Sequence, residues 1–340
     1  MLTAPCSVLT AHHCLLYAFS VSDVLPIPLG YNTAYLWTSG GSRVLIDTGP
    51  DYEGAWEEIQ EALGGMKPDI VVATHAHLDH AGLGARWQEA GVPVAVGAAD
   101  ARLIREPQFT RPGELEAFID YITSCGAPEE ITSGAVARLT ASRERAASLS
   151  LPGYRPDVAG VRYRTALRMD RYEPEVSLTE DSELPGGLQI ISCPGHTLGN
   201  LVLFDQSERW LFSGDQLLED ITPTPGIQWL PPDAPDRFRR DDEHPWRFAS
   251  LPTFVHSLER VTKLGATRCF PGHGVPFESV AELIATILGQ ISGRTDRVAG
   301  LRGEVTSLYE LCDRLYRRAT RRRFWQILST IQGHLDLLDE

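Results

Sequence analysis

Residues 69–82 read DIVVATHAHLDHAG, and the rest of the chain is organised around this stretch. Its apolar part, from Ile70 to Ala73, is too short for a helix and is rich in β-branched side chains, which predicts a buried strand. Three histidines and an aspartate then follow within six residues: His75, His77, Asp79 and His80. Such side chains need polar partners once they leave water, and neutral imidazole and carboxylate are good ligands for zinc and iron. The stretch therefore predicts a metal site at a strand end; a polar loop with chance histidines is the alternative.

The spacing of these four residues predicts two sets of ligands instead of one. In an H-E-x-x-H motif both histidines lie on one helical face. Here His75 and His77 leave the strand, whereas Asp79 and His80 begin the following turn, so the two pairs can point to different places. The pattern His-x-His-x-Asp-His resembles the signature of the metallo-β-lactamase-fold superfamily, which requires further ligands downstream.

Three single residues further along the chain are candidates for those ligands. His196, Asp215 and His273 each follow an apolar strand and lie next to a glycine, which lets the backbone bring one side chain close to a metal. Each of them alone would more often be structural. Together, in the order His, Asp, His, they match the remaining ligand positions of the superfamily.

The resemblance implies a role for each of these residues. The first metal would be held by His75, His77 and His196, the second by Asp79, His80 and His273, and Asp215 would bridge the two. Asp79 would also orient the nucleophile and move its proton, which makes it the candidate catalytic residue. Asp47, at the end of an earlier strand, would support a ligand from below; a strand-terminating turn residue is the alternative. No residue is assigned to substrate binding.

The order of the predicted elements indicates the fold class. Before residue 103, strands alternate with helices and short loops, which predicts a layered α/β core. The resemblance implies an α/β (α+β) fold in which two mixed sheets face each other with helices outside, a four-layer αβ/βα sandwich. Residues 103–180 depart from this rhythm and predict an inserted helical cap that shapes the substrate pocket, or else a packing insertion without substrate contact. The catalytic domain would comprise residues 1–280.

The last part of the chain is predicted as a small helical unit. Residues 281–340 resemble the winged-helix-like domain of a superfamily branch with endoribonuclease-like and thioesterase-like members, here expected as a helical remnant without the wing. A basic cluster lies beside Phe324 and Trp325: Arg317, Arg318, Arg321, Arg322 and Arg323. It would hold RNA phosphates or an anionic carrier such as coenzyme A, but a solvated turn balanced by nearby acidic residues is the favoured interpretation.

The composition limits the classes of function and partner. The 340 residues carry a formal net charge of −14, which argues against non-specific nucleic-acid binding by the whole surface. The six cysteines form no C-x-x-C pair, which predicts reduced, mostly buried thiols in a cytoplasmic protein. The sequence shows no secretory signal, and no apolar run approaches the ~20 residues of a membrane span. No membrane partner is therefore expected.

The expected reaction is hydrolysis by two divalent metal ions, with zinc favoured over iron or manganese. By the resemblance, a hydroxide that bridges the two ions attacks a thioester, as in glyoxalase II relatives, or a lactone or related ester. The large cap and the acidic surface favour a small-molecule ester or thioester over nucleic acid, and the oligomeric state is left open. The alternatives are an endoribonuclease or phosphodiesterase on the same site, a mononuclear iron persulfide dioxygenase, and a metal-stabilised scaffold without catalysis.

Overall fold

The computed structural model describes residues 22–106, 109–147, 167–221, 225–239 and 243–339. The strands in these ranges are β1 (Asp23–Leu29), β2 (Asn32–Ser39), β3 (Ser42–Ile46), β4 (Ile70–Ala73), β5 (Val94–Gly97), β6 (Val176–Leu178), β7 (Gln189–Ser192), β8 (Leu201–Asp205), β9 (Trp210–Gly214) and β10 (Arg268–Pro271). The helices are α1 (Ala55–Leu63), α2 (Leu78–Ala81), α3 (Gly84–Glu89), α4 (Ala101–Arg105), α5 (Glu114–Ser124), α6 (Glu129–Ala147), α7 (Ser250–Leu264), α8 (Val280–Arg302), α9 (Leu308–Thr320) and α10 (Phe324–Leu338). The strands build two sheets.

The first sheet brings the ends of three parallel strands to one edge. Its order is β1-β2-β3-β4-β5-β6, in which β1, β2 and β3 are antiparallel and β3 to β6 are parallel. All four residues of β4 are buried, as their apolar run predicts, because this strand lies inside the sheet and is covered on both faces. The residues that follow β3, β4 and β5 therefore leave the sheet at the same edge.

The second sheet has its own set of strand ends at one edge. Its order is β10-β9-β8-β7, with β10 parallel to β9 and the other pairs antiparallel. Strands β7, β9 and β10 consequently run in the same direction, and the chain leaves all three at one edge. The register places Pro271 opposite Gly214, so the residues that follow β9 and β10 are neighbours.

The core between the sheets is apolar and includes side chains of β2, β3, β4, β8 and β9. The indole of Trp37 donates a hydrogen bond to Asp205 Oδ2 at 2.8 Å across this core. The hydroxyl of Tyr35 donates another to the backbone carbonyl of Pro271, also at 2.8 Å. The polar atoms of Trp37 and Tyr35 therefore find partners on the opposite sheet. These two hydrogen bonds help to fix how the sheets face each other.

Helices cover the outer face of each sheet. Side chains of α1, α3 and α4 pack on the first sheet, and side chains of α7 and α8 pack on the second. The layers therefore follow the order helix, sheet, sheet, helix, which confirms the predicted four-layer αβ/βα sandwich. Within the described ranges, no helix combines the length and the apolar character that crossing a membrane requires.

A further set of helices, named here the helical layer, joins two distant segments of the sequence. Helices α5 and α6 pack with α9 and α10 around one apolar cluster, in which Phe118, Phe324 and Leu328 are buried. The backbone N–H of Tyr309 donates a hydrogen bond to the carbonyl of Cys125 at 2.9 Å, which links the two segments. The predicted cap and the predicted C-terminal unit thus share a core, and the domain boundary at residue 280 stays a prediction.

The predicted insertion, residues 103–180, returns to the sheet before it ends. Its last part forms β6, which pairs with β5 at the edge of the first sheet. Leu167, Met169 and Tyr172 pack into the cluster on the outer face of that sheet. Residues 148–166, which the prediction included, lie outside the described part of the chain.

The cysteines of the described ranges are buried free thiols: Cys125, Cys193, Cys269 and Cys312. Burial raises the pKa of each of these thiols to about 12, so they stay protonated at neutral pH. This confirms the prediction of buried, unpaired thiols for these four residues. Cys6 and Cys14 lie outside the described part.

Candidate metal centre

Seven residues that the sequence singled out come together where the strand ends meet. The chain reaches them directly after β4, in α2, and directly after β7, β9 and β10. Their donor atoms fall into two groups, in each of which all atoms lie within 4.8 Å of one another. Group one consists of His75, His77, His196 and Asp215, and group two consists of Asp79, His80 and His273.

Group one is a set of three imidazoles and one carboxylate. His77 Nδ1 lies 2.9 Å from His75 Nε2 and 3.1 Å from His196 Nε2. Asp215 Oδ2 lies 3.5 Å from His196 Nε2. A neutral imidazole has one N–H, so the three converging nitrogens cannot all be satisfied by hydrogen bonds to one another. The same convergence suits a metal ion, which accepts several lone pairs at once.

Asp215 connects group one to group two. While its Oδ2 faces His196, its Oδ1 lies 3.3 Å from both His80 Nε2 and His273 Nε2. Asp79 Oδ2 completes group two at 3.4 Å from His273 Nε2 and 3.8 Å from His80 Nε2. One carboxylate therefore offers an oxygen to each group, which is the geometry of a bridging ligand.

The hydrogen bonds behind group two indicate that a cation fits inside it. His80 Nδ1 lies 2.7 Å from Asp47 Oδ2, and His273 Nδ1 lies 3.2 Å from the carbonyl oxygen of Tyr31. Both partners are acceptors, so in the neutral form of each ring Nδ1 carries the proton and Nε2 carries the lone pair that a metal takes. The two Nε2 atoms are only 3.4 Å apart. Two lone pairs at this distance repel each other unless a cation lies between them.

Asp47 is itself held in place by the strand that carries the first ligands. Its Oδ1 accepts hydrogen bonds from the backbone N–H and the hydroxyl of Thr74, both at 2.8 Å. Its backbone is in the left-handed region with φ of 63°, where Asp and Asn are better tolerated than most residues. The buried carboxylate thus links the end of β4 to the ring of His80 and orients that ring.

Glycines beside the ligands allow the loops to approach one another closely. A Cβ atom on Gly272 would lie 2.6 Å from His80 Cε1 and 3.1 Å from Asp215 Oδ1. A Cβ atom on Gly214, which has φ of 50°, would lie 2.5 Å from Thr74 Oγ1. The close approach that the sequence suggested at these positions is therefore present: a larger residue would displace candidate ligands at position 272 and Thr74 at position 214.

The surroundings of group one keep two of its histidines, His75 and His196, neutral. Burial lowers the pKa of His75 well below its usual value, and the neighbouring imidazoles lower it further. Burial and the neighbouring His77 lower the pKa of His196 to about 3. Neutral imidazole is the form that coordinates a metal, so both rings are in the binding form at neutral pH.

The surroundings of group two are acidic. Burial opposes the charged form of His273, but hydrogen bonds with Asp215 and Asp79 outweigh it and raise the pKa of this ring to about 9. Burial opposes ionisation of Asp215, but His80 and His273 hold the pKa of this carboxyl well below its usual range. The carboxylates therefore stay ionised and favour a cation among them. Imidazole nitrogens together with carboxylate oxygens form a donor set that suits divalent transition metals.

A buried aspartate that the sequence analysis did not name supports group one. Asp100 is fully buried, and its Oδ2 accepts hydrogen bonds from the backbone N–H of Ala76 at 3.0 Å and the hydroxyl of Thr197 at 2.6 Å. Its Oδ1 accepts one from the backbone N–H of Gly199 at 2.7 Å. Asp100 therefore ties the loop of His75 and His77 to the loop of His196. Its position soon after β5, like that of Asp47 after β3, is the signal that would have identified it.

Two further residues of the β1–β2 turn also contact the candidate ligands. The ring of Tyr31 stacks on His273 with 4.3 Å between ring centroids. Asn32 Nδ2 lies 3.5 Å from Asp79 Oδ2 and 3.3 Å from His80 Nε2. The sequence analysis gave neither residue a role in the site, because a Tyr-Asn pair in a turn carries no chemical pattern of its own.

Comparison with known proteins identifies the family. The family model of the metallo-beta-lactamase superfamily matches residues 27–273. The chain is 26% identical over 322 residues to the protein named "Probable metallo-hydrolase YqjP" of Bacillus subtilis strain 168, a match that covers 92% of this chain and 89% of that protein. It is 27% identical over 255 residues to the "Acyl-coenzyme A thioesterase MBLAC2" of Gallus gallus, with 71% of this chain and 73% of that protein covered.

Solved structures share the fold. A metallo-beta-lactamase family protein of Thermus thermophilus aligns with a TM-score of 0.65 at 23% sequence identity, over 93% of this chain and 92% of that one. A beta-lactamase domain protein of Burkholderia ambifaria aligns with a TM-score of 0.62 at 20% identity, over 93% and 86% of the two chains. Because the family model spans most of the sequence, including the ligand loops, the chain belongs to the metallo-beta-lactamase superfamily and is a hydrolase of that superfamily.

Proposed function

We propose that this hydrolase uses two divalent metal ions to cleave a thioester or a related carboxylic ester. One ion would be held by His75, His77 and His196, the other by Asp79, His80 and His273, with Asp215 between them. The observation that carries the proposal is the orientation of Asp215, whose Oδ2 faces group one while its Oδ1 faces group two. Zinc is the proposed metal, because the donors are imidazole nitrogens and carboxylate oxygens.

The exposure of the donors indicates the side from which substrate approaches. When bound, the two ions supply Lewis acidity for the carbonyl oxygen and lower the pKa of a bound water from ~15.7 to about 7. His75 and His80 are buried, whereas His77 is exposed and the side chain of Asp79 is 22% exposed. The scissile bond would therefore reach the centre from the side of His77 and Asp79.

Asp79 is the residue that we assign to proton transfer. Burial opposes ionisation of its carboxyl, but the neighbouring His80 and the hydrogen bond with His273 lower its pKa, so it is ionised at neutral pH. A carboxylate at the accessible side of the centre can accept a proton from the attacking water and pass it to the leaving group. Asn32 Nδ2, 3.5 Å from Asp79 Oδ2, orients this carboxylate.

Tyr31 supplies a hydrogen-bond donor at the same opening. Its side chain is half-buried over the ring of His273. Burial, and after it the charges of Asp215, Asp220 and Asp79, raise the pKa of its hydroxyl. The hydroxyl therefore keeps its proton at neutral pH and can donate a hydrogen bond to the substrate.

The choice of a thioester is supported by the named relatives and by chemistry. A relative that matches most of this chain is named an acyl-coenzyme A thioesterase. Thioesters and activated esters have good leaving groups, so one general base and a polarised carbonyl are sufficient for their hydrolysis. The cytoplasmic location predicted from the sequence suits such a substrate and stays a prediction.

The proposal is tested by elemental analysis and by hydrolysis of a panel of short acyl thioesters. Protein purified without added metal is expected to contain about two zinc ions per chain, to lose hydrolysis on dialysis against a chelator and to regain it with zinc. Hydrolysis that persists in metal-free protein would overturn the proposal. About one iron per chain, with oxygen uptake in the presence of a persulfide, would support the dioxygenase alternative instead.

A further inference from the structure

A cleft of about 910 Å³ lies against the loop that carries His196. Pro194, Leu198 and Gly199 of this loop form part of its wall, together with residues of α7 and of the segment that follows β6. Among the described residues that line the cleft there is no member of group one or group two. The cleft is therefore a separate site that touches the metal centre through one loop.

The wall of the cleft is basic, although the protein as a whole has a net charge of −14. Its charged lining consists of Arg102, Arg111, Arg237 and Arg260 with the acidic residues Glu180 and Asp233. Arg260 is already occupied, because it forms an ion pair with Glu180 and donates a hydrogen bond to the carbonyl of Ser192 at 2.8 Å. The remaining three arginines have weaker partners.

Arg102 has a buried donor without an acceptor. Its side chain is 11% exposed, and its buried Nη1 atom has no hydrogen-bond partner among the described residues. The carboxylates of Glu106 and Glu114 each lie 3.9 Å from its guanidinium, which is beyond hydrogen-bond distance. A buried guanidinium atom without an acceptor is unfavourable, and because Arg102 lines the cleft, a rotation of its side chain toward an anion there would give this donor an acceptor.

Two other arginines add positive charge to the same wall. The guanidinium of Arg237 lies 4.8 Å from the ring centroid of Phe238 and has no carboxylate partner among the described residues. Arg111 Nε lies 3.7 Å from Glu106 Oε2, which is a loose pair at a partly exposed position. One guanidinium group can donate two hydrogen bonds to the oxygens of a single phosphate. Three guanidinium groups around one cleft therefore suit a ligand with several phosphate charges.

The cleft is linked to the metal centre by a hydrogen-bonded glutamine. A smaller chamber of about 120 Å³ shares Arg102 and Leu198 with the cleft, and Gln228 lies in its wall. Gln228 Nε2 donates a hydrogen bond to the backbone carbonyl of His196 at 2.9 Å. A ligand held by Arg102 would therefore lie close to the loop that positions a ligand of group one.

We propose that the cleft binds the phosphates on the carrier of a thioester substrate, of the coenzyme A type, with Arg102 and Arg237 as the main contacts. The basic cleft explains how an acidic protein would bind such an anionic substrate, because the positive charge is concentrated at one place beside the centre. The identity of the substrate rests on the function proposed above, whereas the phosphate site itself is measured by binding alone.

The first experiment measures binding by isothermal titration calorimetry on the metal-loaded protein. The probes are S-ethyl-coenzyme A, S-ethyl-pantetheine, which lacks the phosphates of the nucleotide part, and inorganic phosphate; none of them offers a free thiol to the metals. We expect S-ethyl-coenzyme A to bind at least ~10-fold more tightly than either of the others, because several charge-assisted hydrogen bonds form at once. If S-ethyl-coenzyme A and S-ethyl-pantetheine bound with equal affinity, the phosphate site would be refuted. If inorganic phosphate bound as tightly as S-ethyl-coenzyme A, the proposal that the cleft recognises the carrier would be refuted.

Variants of single arginines locate the site. Arg102→Gln and Arg237→Gln should each raise the Kd of S-ethyl-coenzyme A about 10-fold and leave the metal content unchanged. The matched control is Arg105→Gln on the same helix, because Arg105 pairs with Glu173 at 2.9 Å and does not line the cleft; its Kd should change less than ~2-fold. Arg237 is exposed, so its variant tests the site even if the Arg102 variant does not fold.

Steady-state kinetics distinguish a failure of the phosphate site from a failure of the proposed function. The two arginine variants should raise KM for a coenzyme A thioester about 10-fold and leave KM for the phosphate-free N-acetylcysteamine thioester unchanged. Binding that depends on Arg102 without hydrolysis of any thioester would overturn the function and keep the phosphate site. Hydrolysis of both thioesters with the same KM in all variants would overturn the site and keep the function.

Discussion

The candidate metal centre and the helical layer are stabilised in different ways. The ligands of the centre follow strands or begin the next turn, and those strands are fixed by backbone pairing with their neighbours in the sheets. The helical layer has no sheet to hold it: α5 and α6 meet α9 and α10 mainly where their apolar faces cover one another, and single hydrogen bonds, such as the one from Tyr309 N–H to the carbonyl of Cys125, add to this contact. Backbone pairing therefore sets where the candidate ligands lie, whereas the burial of side chains sets how the helices of the layer pack.

This difference predicts which property each region controls. The centre depends on buried carboxylates that hold loops and rings, as Asp47 and Asp100 do. The layer depends on buried apolar groups, of which Phe324 is fully inaccessible to solvent. Changes in the centre should therefore affect metal binding and activity, and changes in the layer should affect the free energy of unfolding. The variants below test whether the two effects separate.

The largest effect is expected from Asp215→Ala. Without this carboxylate neither group has a shared ligand, and the repulsion between two divalent ions is no longer reduced. We expect the metal content to fall from about two ions per chain and kcat/KM for a thioester to fall at least ~1,000-fold. Elemental analysis and steady-state kinetics measure the two changes, with the exposed Asp181→Ala as a control that should alter neither. Full activity with two metals in the Asp215 variant would refute the bridging role.

The next effect is expected in the helical layer, from Phe324→Ala. Phe324 is fully buried, and its ring packs edge-on against Tyr309 with 5.5 Å between centroids. Removing it leaves a cavity in the apolar cluster of the helical layer, which should lower the free energy of unfolding by about 3–5 kcal/mol. Urea denaturation measures this loss, and the folded variant should retain its full metal content.

The control for this variant is Met66→Ala, because Met66 is one of the exposed large apolar side chains. That change should alter the free energy of unfolding by less than about 0.5 kcal/mol. A Phe324 variant that kept its stability but lost metal would show that the layer acts on the centre directly, against the separation proposed here.

Two buried aspartates allow the two donor groups to be weakened one at a time. Asp47→Asn keeps the left-handed backbone but replaces the carboxylate behind His80, and Asp100→Asn leaves at least one donor of the group-one loops unpaired. Each change should lower the affinity for one metal about 10–100-fold and leave the other nearly unchanged. Competition with a chelator resolves the two dissociation steps.

Which metal each variant loses tests the roles assigned to Asp47 and Asp100. Asp47→Asn should weaken the metal of group two, which contains His80, and Asp100→Asn should weaken the metal of group one. If both variants lost the same metal first, the division of the donors into two groups would have to be redrawn.

The centre was largely predictable from the sequence because each candidate ligand lies within a few residues of an apolar strand. The strand directions then bring residues as distant as His75 and His273 to one place. Asp100 follows β5 as Asp47 follows β3, but it was missed because the family resemblance assigned a supporting role to Asp47 and none to Asp100. Its role depends on the contact between the loops of β4 and β7, which no local pattern specifies.

The helical layer and the basic cleft could not be predicted in the same way. The amphipathic pattern of α5 predicts a helix with one buried face but does not say which helix covers that face. Arg102 is one of two arginines in a short helix, whereas the sequence directed attention to the cluster around residues 317–323. Arg321, Arg322 and Arg323 are exposed, and the side chain of Arg318 lies outside the described part. Only the folded chain shows that the Nη1 atom of Arg102 is buried and that no described residue offers it an acceptor.

The smallest predicted effect is a pH dependence that arises in the helical layer. His334 on α10 is buried, and its Nδ1 lies 2.8 Å from Thr295 Oγ1 on α8. Burial, and after it the charge of Arg294, lower the pKa of this ring from 6.5 to about 4. The unfolded chain therefore binds a proton at a higher pH than the folded chain does. The stability that neutral His334 contributes is complete above pH 6.5 and is lost as the pH falls toward 4.

His334→Gln isolates this contribution. In the unaltered protein, protonation of the unfolded chain at His334 should lower the free energy of unfolding by about 1–2 kcal/mol between pH 7 and pH 5. The variant lacks the titrating ring, so its loss over the same interval should be smaller by that amount, whatever its stability at pH 7. Urea denaturation of both metal-loaded proteins at the two pH values measures the difference. If both proteins lost the same free energy of unfolding between pH 7 and pH 5, His334 would bind a proton as readily in the folded protein as in the unfolded chain. The contact between α8 and α10 would then have to accommodate a charged ring at pH 5.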